Sequence, residues 1–433
     1  MKTHSMSDLA DVTSGTSVEV AGYVSVLRLK SKIAFIILAD ETGDVQVTVK
    51  SDNENLFTTV NQIKLQSFIH VKGEVVETKL SQRGYELVPH SIQILSVADR
   101  LPIEIGDNTT TQLPTRLDYR PLDLRSPRNQ AIFHIQSNFV AGALQYLFEE
   151  GYLVTNTPCL VAQPSESGSE MFEIKYYDRT AYLRQDPQLH RQLTILGGFE
   201  KIVDFGPSWR AELSHTPRHI CEHRGLAVEQ AYIESEQDVM RVQENLVVDA
   251  FKRINEFCDR DLRILELEEL QIPKTPFQEL CYPGIYDILH DLGEEVEYGE
   301  DHSWQAEIKL GEYIKDNYDQ DFLFVNRFPF AKKPFYVMRV DEDPQWARSV
   351  DLIFRGLEQS SGGQREHRYK QLIANAKEKD MREISWFTEH FKYGAPPHGG
   401  FCLGIERMTQ ALLKIQNIRE TALFPRDPER LEP

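Results

Sequence analysis

The chain has 433 residues, too many for a single compact core, so at least two domains are expected. Its formal net charge of −19 excludes indiscriminate nucleic-acid binding, although a local cluster of cations can still hold one anionic partner. Five cysteines (Cys159, Cys221, Cys258, Cys281, Cys402) form no C-x-x-C pair, so neither zinc nor disulfides are expected and the thiols should be free in a reducing compartment. MKTHSMSDLADVTSG lacks the apolar core of a signal peptide, and no stretch reaches the length of a membrane span. A cytoplasmic protein without membrane contact is expected.

Residues 18–95 alternate apolar and polar positions in five short runs, from VEVAGYVSVL to YELVPHSIQIL, with the helical pattern NENLFTTVNQIK after the third. Five strands with a helix after the third describe an OB-fold β-barrel, whose sheet face binds single-stranded nucleic acid. A barrel used only for packing is the alternative. Domain 1–100 is therefore followed by a proline-containing linker and hinge at 101–126 and by a larger domain at 127–433. That domain opens on a helix with Ser126 as N-cap, Pro127 at its first position and Gly151 past its end. Its stripe of Ile132, Ile135, Phe139, Gly142 and Tyr146 is a core or dimer face.

In VDFGPSWRAELSHTPRHICEHRGLAVEQAYI (203–233), apolar flanks surround a polar middle with Arg210, Glu212, Arg218, His219, His223 and Arg224, so two antiparallel strands joined by a long loop are predicted. Cations gathered at one bend of an acidic protein imply an anionic ligand, and Arg210 offers a planar fork for phosphate or carboxylate. A solvated hairpin with surface arginines is the competing interpretation. Residues 239–262 read as an amphipathic helix, and 265–320 as an acidic insertion packed on the domain. In DLIFRGLEQSSGGQREHR (351–368), Asp351, Glu358, Ser361 and Arg365 accompany Gly362 and Gly363, which predict a bend. GAPPHGGFCLGIER (394–407) is a glycine-rich approach to Arg407 at a helix start, a good place for polyphosphate oxygens.

Segments 203–233, 351–368 and 394–407 resemble motifs 2 and 3 of the class II aminoacyl-tRNA synthetases and the acidic strand between them, with GYLVTNTPCL similar to motif 1. NIRETALFPRDPERLEP is similar to the archaeal and eukaryotic branch of aspartyl-tRNA synthetases almost residue for residue. The resemblance, from about residue 18 to the C-terminus, implies an α+β architecture: the OB-fold followed by an antiparallel catalytic sheet flanked by helices. It implies a homodimer that uses ATP, Mg2+, L-aspartate and tRNA. ATP would meet Arg210, Glu212, Arg218, His219, Ile220, His223, Glu358, Gly404, Ile405, Glu406 and Arg407, with Arg210 and Arg407 catalytic. The metal would meet Glu358, Ser361 and Asp351. The amino acid would meet Glu166, Asp186, Gln188, Arg191, Arg210, Ser361 and Arg365, and the anticodon Arg28, Phe35 and Gln46. Arg191 and Arg365 as two cations favour aspartate over asparagine. Phe35 also fits a core position.

The chain departs from that pattern at Asp186, where serine is usual, at Arg191 for lysine, at Ala227 for aspartate, and at His223 for an adenine-stacking aromatic. The expectation is that the carboxylate for the substrate ammonium has moved from position 227 to Asp186. Charging of tRNA(Asn) as well, an asparagine-specific enzyme, and a paralogue activating an amino acid for a tRNA-independent ligation stay open as alternatives.

Overall fold

The computed structural model describes residues 2–433 except 80, 107–108, 164–170, 212 and 214–215. Two compact units divide the chain, Met1–Pro127 and Arg128–Pro433.

In the first unit, β1 (Ser17–Leu29), β2 (Ile33–Asp40), β3 (Gly43–Lys50), β4 (Phe68–Glu77) and β5 (Tyr85–Ser96) close a barrel in the order β1-β2-β3-β5-β4, with the helix Glu54–Val60 after β3. This is the expected OB-fold. Alternation decides the inside: Ala34, Ile36 and Leu38 of β2 and Val45, Val47 and Val49 of β3 are buried. Each buried Val, Ile or Leu among them contributes roughly 1.5–3 kcal/mol by leaving water. Segment 101–126, expected as linker and hinge, carries two short helices, Leu113–Asp118 and Arg120–Asp123. Asp123 ties them together by accepting from Arg116 at 2.8 Å and from the fully buried Arg120 at 2.6 Å.

The second unit starts at Arg128, within the helix Pro127–Glu149, which is ended at Gly151 with φ +82°. Its strands are β6 (Leu153–Thr155), β7 (Leu160–Val161), β8 (Glu173–Tyr176), β9 (Arg179–Leu183), β10 (Lys201–Trp209), β11 (Glu222–Ala231), β12 (Gln278–Cys281), β13 (Phe322–Asn326), β14 (Ser349–Phe354), β15 (Leu357–Gln364) and β16 (His398–Gly404). Eight of them form one sheet, β12-β13-β14-β15-β16-β11-β10-β6, antiparallel except at its two edges, and β7-β9-β8 form a small second sheet. The helices Pro127–Glu149 and Glu236–Phe257 cover one face through Ile135, Phe139, Leu246 and Ile254, which pack with Leu226, Val228, Leu352 and Phe401.

Two expectations change here. Segment 265–320 does more than pack on the domain, because β12 pairs with β13 as the edge of the main sheet. Gly362 and Gly363 lie inside β15 and make no bend. A Cβ on Gly362 would stand 2.4 Å from the Gly400 carbonyl oxygen, and Gly363 has φ +143°, so glycine is required there by close strand approach.

Candidate active site

Strand register lays out the floor of the site. Asp204 of β10 faces Ala227 of β11, which faces Cys402 of β16, then Ser361 of β15 and Asp351 of β14. Directly paired residues point to the same face, so these five form one rank across the sheet. At period two along β11, His223 and Gly225 share that face with Ala227. A Cβ on Gly225 would lie 2.6 Å from the Cys402 sulfur.

Above this floor opens a cavity of about 570 Å³. Asp186, Gln188, Arg210, Arg218, His219, Ile220, His223, Asp351, Glu358, Ser361, Arg365, Gly404, Glu406 and Arg407 all line it. Arg191 sits behind this wall, and Ile405 turns its side chain into the core. Glu166 and Glu212 lie outside the described residues.

At one end the cavity is rich in guanidinium groups. The Arg210 N–H donates to the Cys221 carbonyl at 2.9 Å, which starts the loop where the hairpin opens. His223 is pulled down to about 3 by burial and then by the Arg210 and Arg407 charges, so it is a neutral imidazole at neutral pH. His219 Nδ1 lies 2.5 Å from the Thr216 hydroxyl. Arg407 approaches Glu358 at 3.5 Å, and the Glu358 N–H donates to Glu307 at 3.2 Å. Burial, then the Glu358 charge, pushes Glu307 up to about 7. The Glu406 carboxylate accepts the Arg224 N–H at 2.9 Å, and burial pushes it up to about 7.

Asp351 accepts from Lys333 at 2.9 Å through Oδ2, while its Oδ1 is buried with no hydrogen-bond partner. Burial raises its pKa against the opposing Lys333 charge. A buried, unsatisfied carboxylate oxygen beside Ser361 and Glu358 suits a hard cation, which takes oxygen donors. Among the described residues no group of three or more His, Cys, Asp and Glu side chains is placed to hold a metal ion.

At the other end, Pro187 starts the helix Gln188–Leu196, which brings Gln188 and Arg191 onto one face. Arg191 donates to Asp186 at 2.6 Å and to Gln188 at 2.7 Å. Arg365 donates to Glu229 at 3.0 Å and 3.3 Å, to Gln188 at 3.1 Å and to the Gly400 carbonyl at 2.9 Å. The niche is therefore not a pair of naked cations. Each guanidinium already has a resident carboxylate, as burial demands, because an unpaired buried charge costs several kcal/mol.

In the first unit, Arg28 faces Phe35 across β1 and β2, and Phe35 faces Thr48 of β3. Ala34 and Ile36 take the inward positions, so Phe35 lies on the outer face and the core alternative is set aside. Gln46 and Thr48 both donate to Glu86, at 2.9 Å and 2.6 Å.

Sequence reasoning missed Lys333 and Glu307, which lie in segments without a recognisable motif, and Glu229 and Glu86, which lie in quoted strand runs but carry no motif position. For Glu229 a signal existed: a carboxylate in the apolar run of a central strand demands a buried cation.

An antiparallel sheet bearing converging arginines and a metal-suited carboxylate strand on one face defines the catalytic architecture of a class II aminoacyl-tRNA synthetase. The sequence profile of the tRNA synthetases class II (D, K and N) matches residues 112–428, that of the OB-fold nucleic acid binding domain matches 18–95, and the chain belongs to this synthetase family. It is 40% identical to the aspartate–tRNA(Asp) ligase of Pyrococcus furiosus, over 100% of both chains. To the aspartate–tRNA(Asp/Asn) ligase of Methanopyrus kandleri it is 39% identical over 98% of both. The crystal structure of asparaginyl-tRNA synthetase from Pyrococcus horikoshii complexed with asparaginyl-adenylate superposes with a TM-score of 0.92, at 30% identity and 99% coverage of each chain.

Proposed function

We propose that this chain is an aspartate–tRNA ligase. It activates L-aspartate with ATP as aspartyl-adenylate, releasing pyrophosphate, and passes the aspartyl group to the terminal ribose of tRNA(Asp). The observation that carries the reading is the convergence of Arg210, Arg218, Arg407 and Glu358, from three distant segments, on a cavity whose far wall holds Asp186, Gln188 and Arg365.

Arg210 neutralises the mutual repulsion between the substrate carboxylate and the α-phosphate as they approach, which is electrostatic catalysis without a covalent intermediate. Arg218 and Arg407 hold the distal phosphates, and His219, Ile220, His223, Gly404, Ile405 and Glu406 complete the nucleotide site together with Glu212. Glu358, Asp351 and Ser361 would hold Mg2+. When bound, Mg2+ supplies charge neutralisation on the phosphate oxygens. Asp186 receives the α-ammonium and Arg365 the β-carboxylate, Arg191 backs them from behind the wall through Asp186 and Gln188, and Gln188, Ser361 and Glu166 frame the amino acid. The charges of Arg191, Arg365, Asp186 and Glu229 cancel, as do those of the ammonium and β-carboxylate of aspartate. Asparagine would leave one surplus positive charge in a desolvated niche.

Arg28, Phe35 and Gln46 on the barrel face hold the anticodon, Phe35 by stacking. Exposed Phe148, Leu153, Val154 and Leu160 make an apolar surface suited to a homodimer interface. Among the described residues no helix is long and apolar enough to cross a membrane. The cytoplasm, where tRNA is charged, is the compartment we propose for the enzyme.

A second reading, asparagine–tRNA ligation, is favoured by the resident carboxylates on both guanidinium groups, which lessen the need for a carboxylate on the substrate side chain. Charging purified tRNA(Asp) and tRNA(Asn) with labelled aspartate and with labelled asparagine separates the readings. Aspartyl-tRNA(Asp) is expected, with the tRNA(Asn) lane reporting whether discrimination is strict. Asparaginyl-tRNA alone would overturn the proposal.

A further inference from the structure

The segment 265–320 carries no motif, yet one helix in it reaches the nucleotide end of the cavity. Trp304 and Glu307 stand one turn apart on the helix Trp304–Tyr318, whose start is capped by Ser303 accepting the Ala306 N–H at 3.3 Å. Glu307 holds the Glu358 N–H, and the Arg218 guanidinium lies over the Trp304 ring, 5.1 Å from its centroid. That separation is within cation–π range. Trp304 is 53% exposed, so packing in the core does not account for it.

We infer that Trp304 is a positioning residue for ATP, holding Arg218 aimed at the distal phosphates. The inference rests on the nucleotide reading of Arg218 given above. Two guanidinium groups that converge on one anion repel each other before it arrives, and Arg218 feels the Arg407 charge, opposed by the stronger attraction of Glu307. Arg407 has Glu358 in direct reach at 3.5 Å, whereas Arg218 feels Glu307 as a nearby charge and has its guanidinium laid over an aromatic face. The difference matters for binding. A carboxylate partner would occupy the same N–H donors that phosphate oxygens need, so ATP would have to displace it. A π-face attracts the cation from above its plane and leaves the five in-plane N–H groups available.

The test is a double-mutant cycle on the full chain, reading ATP KM and aspartate KM in pyrophosphate exchange and the melting temperature. Trp304→Ala should raise ATP KM about three- to tenfold with aspartate KM and melting temperature unchanged. Trp304→Phe should recover most of the loss. In an Arg218→Ala background, Trp304→Ala should add nothing, because the group it aims is gone. An unchanged ATP KM in Trp304→Ala, or an effect that adds fully to that of Arg218→Ala, overturns the inference while leaving the nucleotide site standing. An Arg218→Ala variant with normal ATP KM removes the nucleotide reading of Arg218, and the inference with it.

Discussion

Arg191 and Asp186 form a 2.6 Å ion pair in which the guanidinium is buried and the carboxylate faces the cavity. With only a methyl group at Ala227, the α-ammonium is assigned to Asp186 on that wall, and Arg191 holds Asp186 from behind. Asp186→Ala should raise aspartate KM about 10- to 100-fold, the cost of one charged hydrogen bond, with ATP KM held. The measurement is pyrophosphate exchange at saturating ATP. An unchanged aspartate KM would discard Asp186 as the relocated ammonium site.

Arg210 begins the loop between β10 and β11 and lines the cavity. If it bridges the reacting carboxylate and phosphate, Arg210→Ala should lower exchange by about a hundredfold or more without loss of folding. Near-normal exchange from a folded variant would remove Arg210 from the reaction.

Phe35, on the outer face of the barrel, should act on tRNA alone. Phe35→Ala is expected to raise the tRNA KM in charging about 5- to 100-fold, the value of one base–aromatic stack. Pyrophosphate exchange, which needs no tRNA, should change far less. Equal losses in both assays would point to a folding defect instead.

His223 carries a pH prediction with a definite sign. Its folded pKa is lowered to about 3 by burial and the neighbouring arginines, from 6.5 unfolded. The stability it contributes is present above about 6.5 and is lost as pH falls toward 3, because the unfolded chain takes up the proton first. In urea titrations His223→Asn should lose less stability than the wild type between pH 6.5 and 4. Parallel pH profiles would contradict a buried neutral imidazole.

Much of this molecule is legible before its coordinates. The barrel follows from period-two alternation in 18–95, and the site hairpin from apolar flanks around Arg210 and Arg218. What stayed hidden is pairing between distant residues. Arg365 meets Glu229, 136 positions away, and Lys333 meets Asp351 from a loop without periodicity. Arg191 and Asp186 are near neighbours in sequence, but only the helix start at Pro187 brings the guanidinium back onto the carboxylate. Glycines 362 and 363 suggested a bend because glycine permits one, whereas here they serve close strand contact.

The central claim is that the niche of Arg191, Arg365, Asp186 and Glu229 selects an acid for activation by ATP. Its most direct test is exchange of labelled pyrophosphate into ATP with each of the twenty amino acids supplied separately. Aspartate should support exchange at least about a hundredfold better than asparagine, the discrimination expected when a desolvated charge loses its partner. Exchange driven by asparagine or another neutral amino acid, with aspartate inactive, would contradict it.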